Sequence, residues 1–466
     1  MSADGFSGLR VGQAAGALAP LVADRTVYCN SSTGNDTTGD GSTGAPWQTL
    51  ARAWADRLTY GELRAKYIVQ LIGVGPYTMP VMASSVASEG GYFITLGDPA
   101  SDVVNATGTF SGNFSTSTFL ASTSAGLGAD THKGRFLYIT SGNCSGVRSL
   151  ILANTDTSIT VPLLNWRTTL GAVANGDTFS IKTPGTVINV PTPSNGQEVP
   201  GFVNCTGAGY PSGSSTGRPP RHWIVGCSFT GATLRHKLSW VIMMGCSLSQ
   251  QLQSIGGEIW LGGVLNAFPM GVGADTRTDL LTGYGCSTGS TFIVGGRAWA
   301  AIYGLYSTGS VIIGLASLGD YALFNGARLN GALSINGGRA EGNGSALHLI
   351  NSTITVQRNG QLILNGGTWT FAVTSGSCLL ASQGGLIVHD FATLSGGTSD
   401  AAGYGSQALS GGRIMFIGLT PTLTGGTASS DIKAENTAAV ANSALNANHT
   451  STTDTTTQAI VMRVAA

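Results

Sequence analysis

Charge is scarce in this chain. Only 10% of its 466 residues are Asp, Glu, Lys or Arg, against roughly 25% in an average soluble domain. Neither sign is in excess, with 23 basic and 23 acidic residues. A surface that grips a polyanion needs a basic excess, so nucleic acid is not expected as a partner. Disorder driven by self-repulsion is excluded as well, because 42% of the residues are hydrophobic and the net charge is zero. Long apolar runs are also missing. None approaches the ~18 residues that a membrane span requires, so no membrane insertion is expected. Met1 to Pro20 lacks the basic start and apolar centre of a secretory signal. The seven cysteines contain no CxxC pair, which argues against a zinc site or disulfide framework and leaves buried thiols. The six histidines show no HxxxH spacing, and neither metal nor cofactor is expected. The Ala/Glu/Lys/Leu/Arg-rich surface of helical bundles and coiled coils is absent too.

What the chain has in abundance is glycine. Its 69 glycines are about twice the usual share, and they show no period of three, which excludes collagen. Glycine supplies backbone conformations forbidden to other residues, so an excess without period predicts many tight turns. The remaining surface is Ser, Thr and Asn. Such a surface has little colloidal protection at zero net charge, and the chain is expected to live inside an assembly.

The most specific text is RTVYCNSSTGNDTTGDGSTGAPWQTLARAWADRL, within residues 25 to 60. Thr26, Val27 and Tyr28 form a short strand, and Gly34-Asn35-Asp36 and Gly39-Asp40-Gly41 form a turn-rich loop. Pro46 suits the first turn of a helix, whose apolar face is Leu50, Trp54 and Leu58. From His222 to about Leu419, Gly-Cys-Ser recurs at 226, 245 and 285 and Gly-Gly-Arg at 295, 337 and 411. Short strands stand between them without helices, which predicts coils of about 19 to 25 residues. A β-sandwich array is the competing fold; its hairpin dipeptides are sparse here.

Strand, GND loop and APWQTLARA together resemble the opening of pectate-lyase-like right-handed parallel β-helix proteins of phage virions, of tail spike or fibre type. The resemblance implies an all-β fold, a right-handed parallel β-helix whose exposed first coil is covered by an N-terminal capping helix. Tyr138 to Gly142, Arg148 to Val161 and Gly176 to Ile181 resemble a small antiparallel β module found inserted in phage virion proteins. The expected organisation is an attachment arm over 1–24, the β-helix start with its capping helix over 25–106 and the inserted module over 107–184. A loop or linker over 185–221, the main β-helix over 222–419 and an arm or cap over 420–466 complete it.

Candidate chemistry is thin. Cys227, Cys246 and Cys286 share one Gly-Cys-Ser setting and read as an interior stack of thiols. Glycoside hydrolysis needs two carboxylates about 5 to 10 Å apart. Asp320 and Glu341 lie one coil apart in sequence and are the catalytic candidates; Asp275 and Asp279 read as loop residues. Trp299, Tyr303, Tyr306 and Trp369 are candidates for a sugar-stacking surface, though aromatics of this kind also fill cores and subunit contacts.

The function expected from the resemblance is that of a structural virion protein of a tailed phage or related particle. It would be a homotrimeric fibre or spike that projects from the particle, joins other virion proteins through its N-terminal arm, and contacts host surface glycan. The alternative is a tailspike depolymerase that hydrolyses capsule or O-antigen polysaccharide through Asp320 and Glu341. A bacterial surface adhesin is a third reading, disfavoured by the missing export signal.

Overall fold

A computed structural model describes residues 19–60, 63–80, 92–112, 119–121, 126–161, 173–189, 201–208 and 221–230. Between 234 and 463 it describes the strands and the short turns joined to them. Three long parallel sheets of 16, 12 and 11 strands build it, the first running from Arg25–Asn30 to Ile460–Arg463. One coil shows the rule. Trp240–Met244 lies on the first face, Ser247–Ser249 on the second and Leu252–Ile255 on the third, and Glu258–Gly262 then returns to the first. Each strand pairs in parallel with the one a coil later. Trp240 thus stands beside Glu258, then Leu280, Trp299, Tyr321, Arg339 and Gln361. The chain is a parallel β-helix, and its coils from Trp240 to Gln361 take 18 to 22 residues, at the short end of the interval expected from the repeats. Coils after Gln361 lengthen, with Leu386 and Arg413 next in the column.

Alternation sorts the side chains, because successive residues of a strand point to opposite sides of the sheet. On the first face, Val241, Ile259, Ala300, Ala322 and Leu362 form one fully buried column. Cys205, Cys227 and Cys246 line the turn into the second face, all buried. Their thiols point at backbone: Cys227 Sγ lies 3.4 Å from Phe202 O and Cys246 Sγ 3.2 Å from Ile224 O. Burial pushes both thiols well above their ordinary range, so they are inert packing groups. Cys286 lies outside the described residues.

The N-terminal end is closed by the helix Leu50–Arg57. The helix starts four residues after Pro46 rather than at it. What starts it is Asp36, whose Oδ1 accepts from Gln48 N and Thr49 N at 2.7 and 3.0 Å, and the N-cap Thr49, whose hydroxyl accepts from Arg52 N at 3.2 Å. Leu50, Ala53 and Trp54 are buried against the first coils, and the Trp54 ring lies 4.8 Å from Phe93. Asp56 ties the cap down. It accepts from Arg25 Nε and Nη2 at 2.9 and 3.1 Å, and from the buried Tyr67 hydroxyl at 2.7 Å. Asp56→Ala leaves both donors without this acceptor and is expected to cost about 2 kcal/mol. Chemical unfolding followed by Trp54 fluorescence checks it.

The inserted module begins at Val103, slightly before the expected 107. It leaves the solenoid after Tyr92–Leu96 and returns at Val187–Asn189. Its four-stranded antiparallel sheet joins Val103–Thr109, Thr178–Thr183, Phe136–Ile139 and Arg148–Leu150, and a three-stranded sheet lies beside it in sequence. Phe110, Ile139, Ile159 and Phe179 belong to a core of its own, separate from that of the solenoid.

Two stretches read differently in three dimensions. The expected linker, 185–221, supplies Val187–Asn189, Gly201–Val203 and Thr206–Ala208 to the solenoid faces. Three-residue strands between prolines and glycines leave no periodicity to read. Beyond 419, Ser430–Ala434, Ala439–Asn442, Ser451–Thr453 and Ile460–Arg463 continue the first and third faces. At the other end Leu21 pairs with Leu63; residues 1–18, most of the expected arm, lie outside the described residues.

Candidate functional site

Parity decides where the two candidate carboxylates lie. They are 21 positions apart in number, but the coil between them is shorter, so they are out of register. Leu323 is the partner of Glu341 across the ladder. Asp320 sits at the turn before Tyr321, where its backbone oxygen accepts from Arg339 N at 2.8 Å. Asp320 is 1% exposed, and its Oδ1 accepts from the buried Ala298 N at 3.0 Å. A carboxylate used this way closes the start of the preceding strand. Glu341 belongs to the opposite parity, between the buried Ala340 and Gly342. It accepts from the Tyr321 hydroxyl at 2.9 Å and from Arg339 Nε at 2.7 Å, and Arg339 Nη2 also pairs with it. The two carboxylates are therefore on opposite sides of the first-face sheet, and they do not stack.

The outer side of that sheet carries an aromatic step. Trp299 and Tyr321 are register partners on adjacent strands, with ring centroids 6.1 Å apart and planes 6° from parallel. Trp299 is 40% exposed. Burial and the bond to Glu341 raise the Tyr321 hydroxyl above its ordinary range. Trp299, Tyr321, Arg339 and Glu341 thus form one outward cluster. Tyr321 and Arg339 are not legible in the sequence because their neighbours are set by coil length: aligning the Gly-Gly-Arg motifs at 295 and 337 would set Arg297 beside Arg339, two residues out of the register that places Trp299 in the column of Tyr321 and Arg339.

The other aromatic candidates do not join it. Tyr303 ends the Trp299–Tyr303 strand of the first face. Tyr306 and Trp369 are on second-face strands. By register, Trp369 falls in the column of Leu349, which continues from the buried Ser307 and Leu329. Tyr306 falls in the alternate column, which runs through Ser287, Tyr306, Arg328, His348, Thr368 and Thr393. Every position of that run carries a hydrogen-bonding group. Asp275 and Asp279 lie outside the described residues. Among the described residues no group of three His, Cys, Asp or Glu is placed to hold a metal ion, and no helix is long and apolar enough to cross a membrane.

No family model matches the chain, and no curated protein matches it by sequence. Solved structures do. The Gp54 tailspike of Acinetobacter baumannii bacteriophage AP22, in complex with A. baumannii capsular saccharide, is similar over 88% of this chain and 75% of its own, at 11% identity and a TM-score of 0.27. The tailspike protein gp49 from Pseudomonas phage LKA1 is similar over 82% of this chain and 71% of its own, at 12% identity and a TM-score of 0.22. The strand register of the chain itself makes the assignment: it is a parallel β-helix with a capping helix at its N-terminal end and an antiparallel module inserted in an early coil.

Proposed function

We propose that the chain is a structural virion protein of a tailed phage or related particle, a spike that projects from the particle and contacts host surface glycan. The observation that carries the reading is the polar run on the second face. A solenoid repeats every strand spacing, about 4.8 Å, so Tyr306, Arg328, His348 and Thr368, all polar residue types, stand at one register position on successive strands. A polysaccharide also repeats its hydroxyls along a line, and a row of polar residues fixed at the strand spacing lowers the ordering cost of binding it. The stiffness of a continuous 16-stranded sheet suits a projecting element. The copies assemble as a homotrimer, and the segment before residue 19 serves attachment to the particle. No hydrolytic role is assigned to Asp320 and Glu341, since the first serves the backbone inside the coil.

The test uses the full chain and polysaccharide from the host. Binding is measured by calorimetry for the wild type, Tyr306→Ala and Arg328→Ala. Each substitution is expected to weaken binding about tenfold, equivalent to ~1.4 kcal/mol. Unchanged affinity in both variants would remove the second face from the reading. Released reducing ends, if found, would make the protein a depolymerase; its absence from purified particles by mass spectrometry would sink the virion assignment.

A further inference from the structure

The second face differs from the other two in the sign of its charges. Its twelve strands, from Tyr77–Thr78 to Thr393–Ser395, contain no Asp, Glu or Lys. The residues there that can carry positive charge are Arg328 and His348, and these two are register partners on adjacent strands. Both occupy the column that begins in the early coils with Ser228 and Ser247, which are partly exposed. The neighbouring column of the same strands, with Phe229, Leu248 and Leu329, is buried.

We propose that Arg328 and His348 together receive an anionic substituent, so that the glycan contacted by the second face is an acidic polysaccharide bearing carboxylate or phosphate. The inference rests on the glycan reading above and adds to it the charge class of the ligand.

Local charge balance is the first support. Between Asp279 and Asp390 the sequence has four arginines, Arg297, Arg328, Arg339 and Arg358, no lysine, and two acidic residues, Asp320 and Glu341. Both carboxylates are placed off the second face. Asp320 accepts from Ala298 N at 3.0 Å inside the coil. Glu341 is on the first face, where Arg339 Nε donates to it at 2.7 Å. An acidic ligand supplies the second face with the negative charge that the sequence of these coils does not.

Residue chemistry is the second support. Arginine has a planar fork of N–H donors that matches carboxylate and phosphate. Histidine keeps a donor in either protonation state. One strand spacing, about 4.8 Å, separates their positions, the scale of a single anionic group. Tyr306 stands one strand before Arg328 in the same column. An amphipathic ring beside a cationic pair suits a sugar ring that carries an acidic substituent.

Charge density is the third support. Duplex DNA carries a negative charge every ~1.7 Å and is matched by many Lys and Arg, whereas this chain has equal numbers of basic and acidic residues. An acidic polysaccharide carries its charges sugar by sugar or repeat by repeat, and a single cationic station meets that spacing.

Calorimetry with the full chain and host polysaccharide tests the inference, before and after the polymer's charge is removed. Carbodiimide-mediated reduction converts carboxylate to alcohol, and hydrofluoric acid removes phosphate. The wild type is expected to bind the untreated polymer about tenfold more tightly than the treated one, and the treatment with that effect names the group. Arg328→Gln and His348→Ala are expected to bind both forms alike, with unchanged far-ultraviolet spectra. Arg328→Lys, which keeps the charge without the fork, is expected to retain part of the preference. Arg358→Gln removes the same charge from the exposed turn between the third and first faces and is expected to retain all of it. Equal binding of treated and untreated polymer by the wild type overturns the inference. So does an undiminished preference in both Arg328→Gln and His348→Ala, or its loss in Arg358→Gln. Each of these leaves the glycan reading standing, because the wild type still binds. A wild type that binds neither form removes that reading and this inference with it.

Discussion

Gly385→Ala is expected to destabilise the solenoid by about 4 kcal/mol or more, in the range reserved for a change the fold cannot absorb. The turn from the third face to the first is built from Gln383-Gly384-Gly385, and the next coil repeats it with Ser410-Gly411-Gly412. Gly384 has φ of +77°, a left-handed conformation that side chains disfavour. Gly385 has a different constraint. A methyl group there would overlap the carbonyl oxygen of Val356 in the preceding coil, and one at Gly412 would overlap that of Ala381. Both obstacles are backbone, so relief requires pulling Ile354–Gln357 away from Leu379–Ala381 and breaking their ladder. Gly112→Ala is the control, since nothing lies within 4 Å of the added methyl; a change within about 0.5 kcal/mol is expected there. Thermal unfolding followed by circular dichroism separates them. Equal midpoints for the two variants would refute the close stacking of these turns.

Arg148→Ala is expected to release the inserted module from the solenoid at a cost of about 3 kcal/mol. The guanidinium lies over the Phe136 ring, 4.0 Å from its centroid, with the Tyr138 ring at 5.1 Å. It crosses to the solenoid through Nη1 to Asn204 Oδ1 at 2.6 Å and Nη2 to Gly226 O at 2.7 Å. Asp102 completes the junction, accepting from Asn204 Nδ2 at 2.9 Å and from the Tyr138 hydroxyl at 3.0 Å. Lysine has the charge but not the planar fork that reaches two acceptors at once, so Arg148→Lys is expected to recover little. Because the module and the solenoid have separate cores, the effect should be local. Hydrogen exchange is expected to quicken in Phe136–Ile139 and Arg148–Leu150 and to stay slow in Trp240–Met244. Equal acceleration in both would show that Arg148 supports the whole fold.

The helix Leu50–Arg57 was readable from Leu50 and Trp54 at helical spacing, but its start was not. Pro46 is a local signal, whereas the residue that sets the boundary, Asp36, reaches it across a loop. The thiol positions were readable for a simpler reason: Gly-Cys-Ser repeats at the coil interval, so burial at one position implies burial at the next. Asp320 and Glu341 show the limit. A separation near one coil length suggests stacking, yet a coil that takes three residues fewer puts them on opposite sides of a sheet. In a strand, parity matters as much as distance.

Scarce charge and abundant glycine already mark the sequence as that of a turn-rich β protein. The recurring Gly-Gly-Arg and Gly-Cys-Ser determined that it would coil. These features are local in cause: a tight turn needs glycine wherever it occurs, and a buried wall excludes charge at every coil. Only the tertiary structure decided which outward residues share a column. Coil lengths vary, and each change resets which residue stands beside which. That register sets Trp299 beside Tyr321 and Leu323 beside Glu341 on the first face, and Tyr306, Arg328 and His348 at one position of the second, though both are written in the same low-charge text.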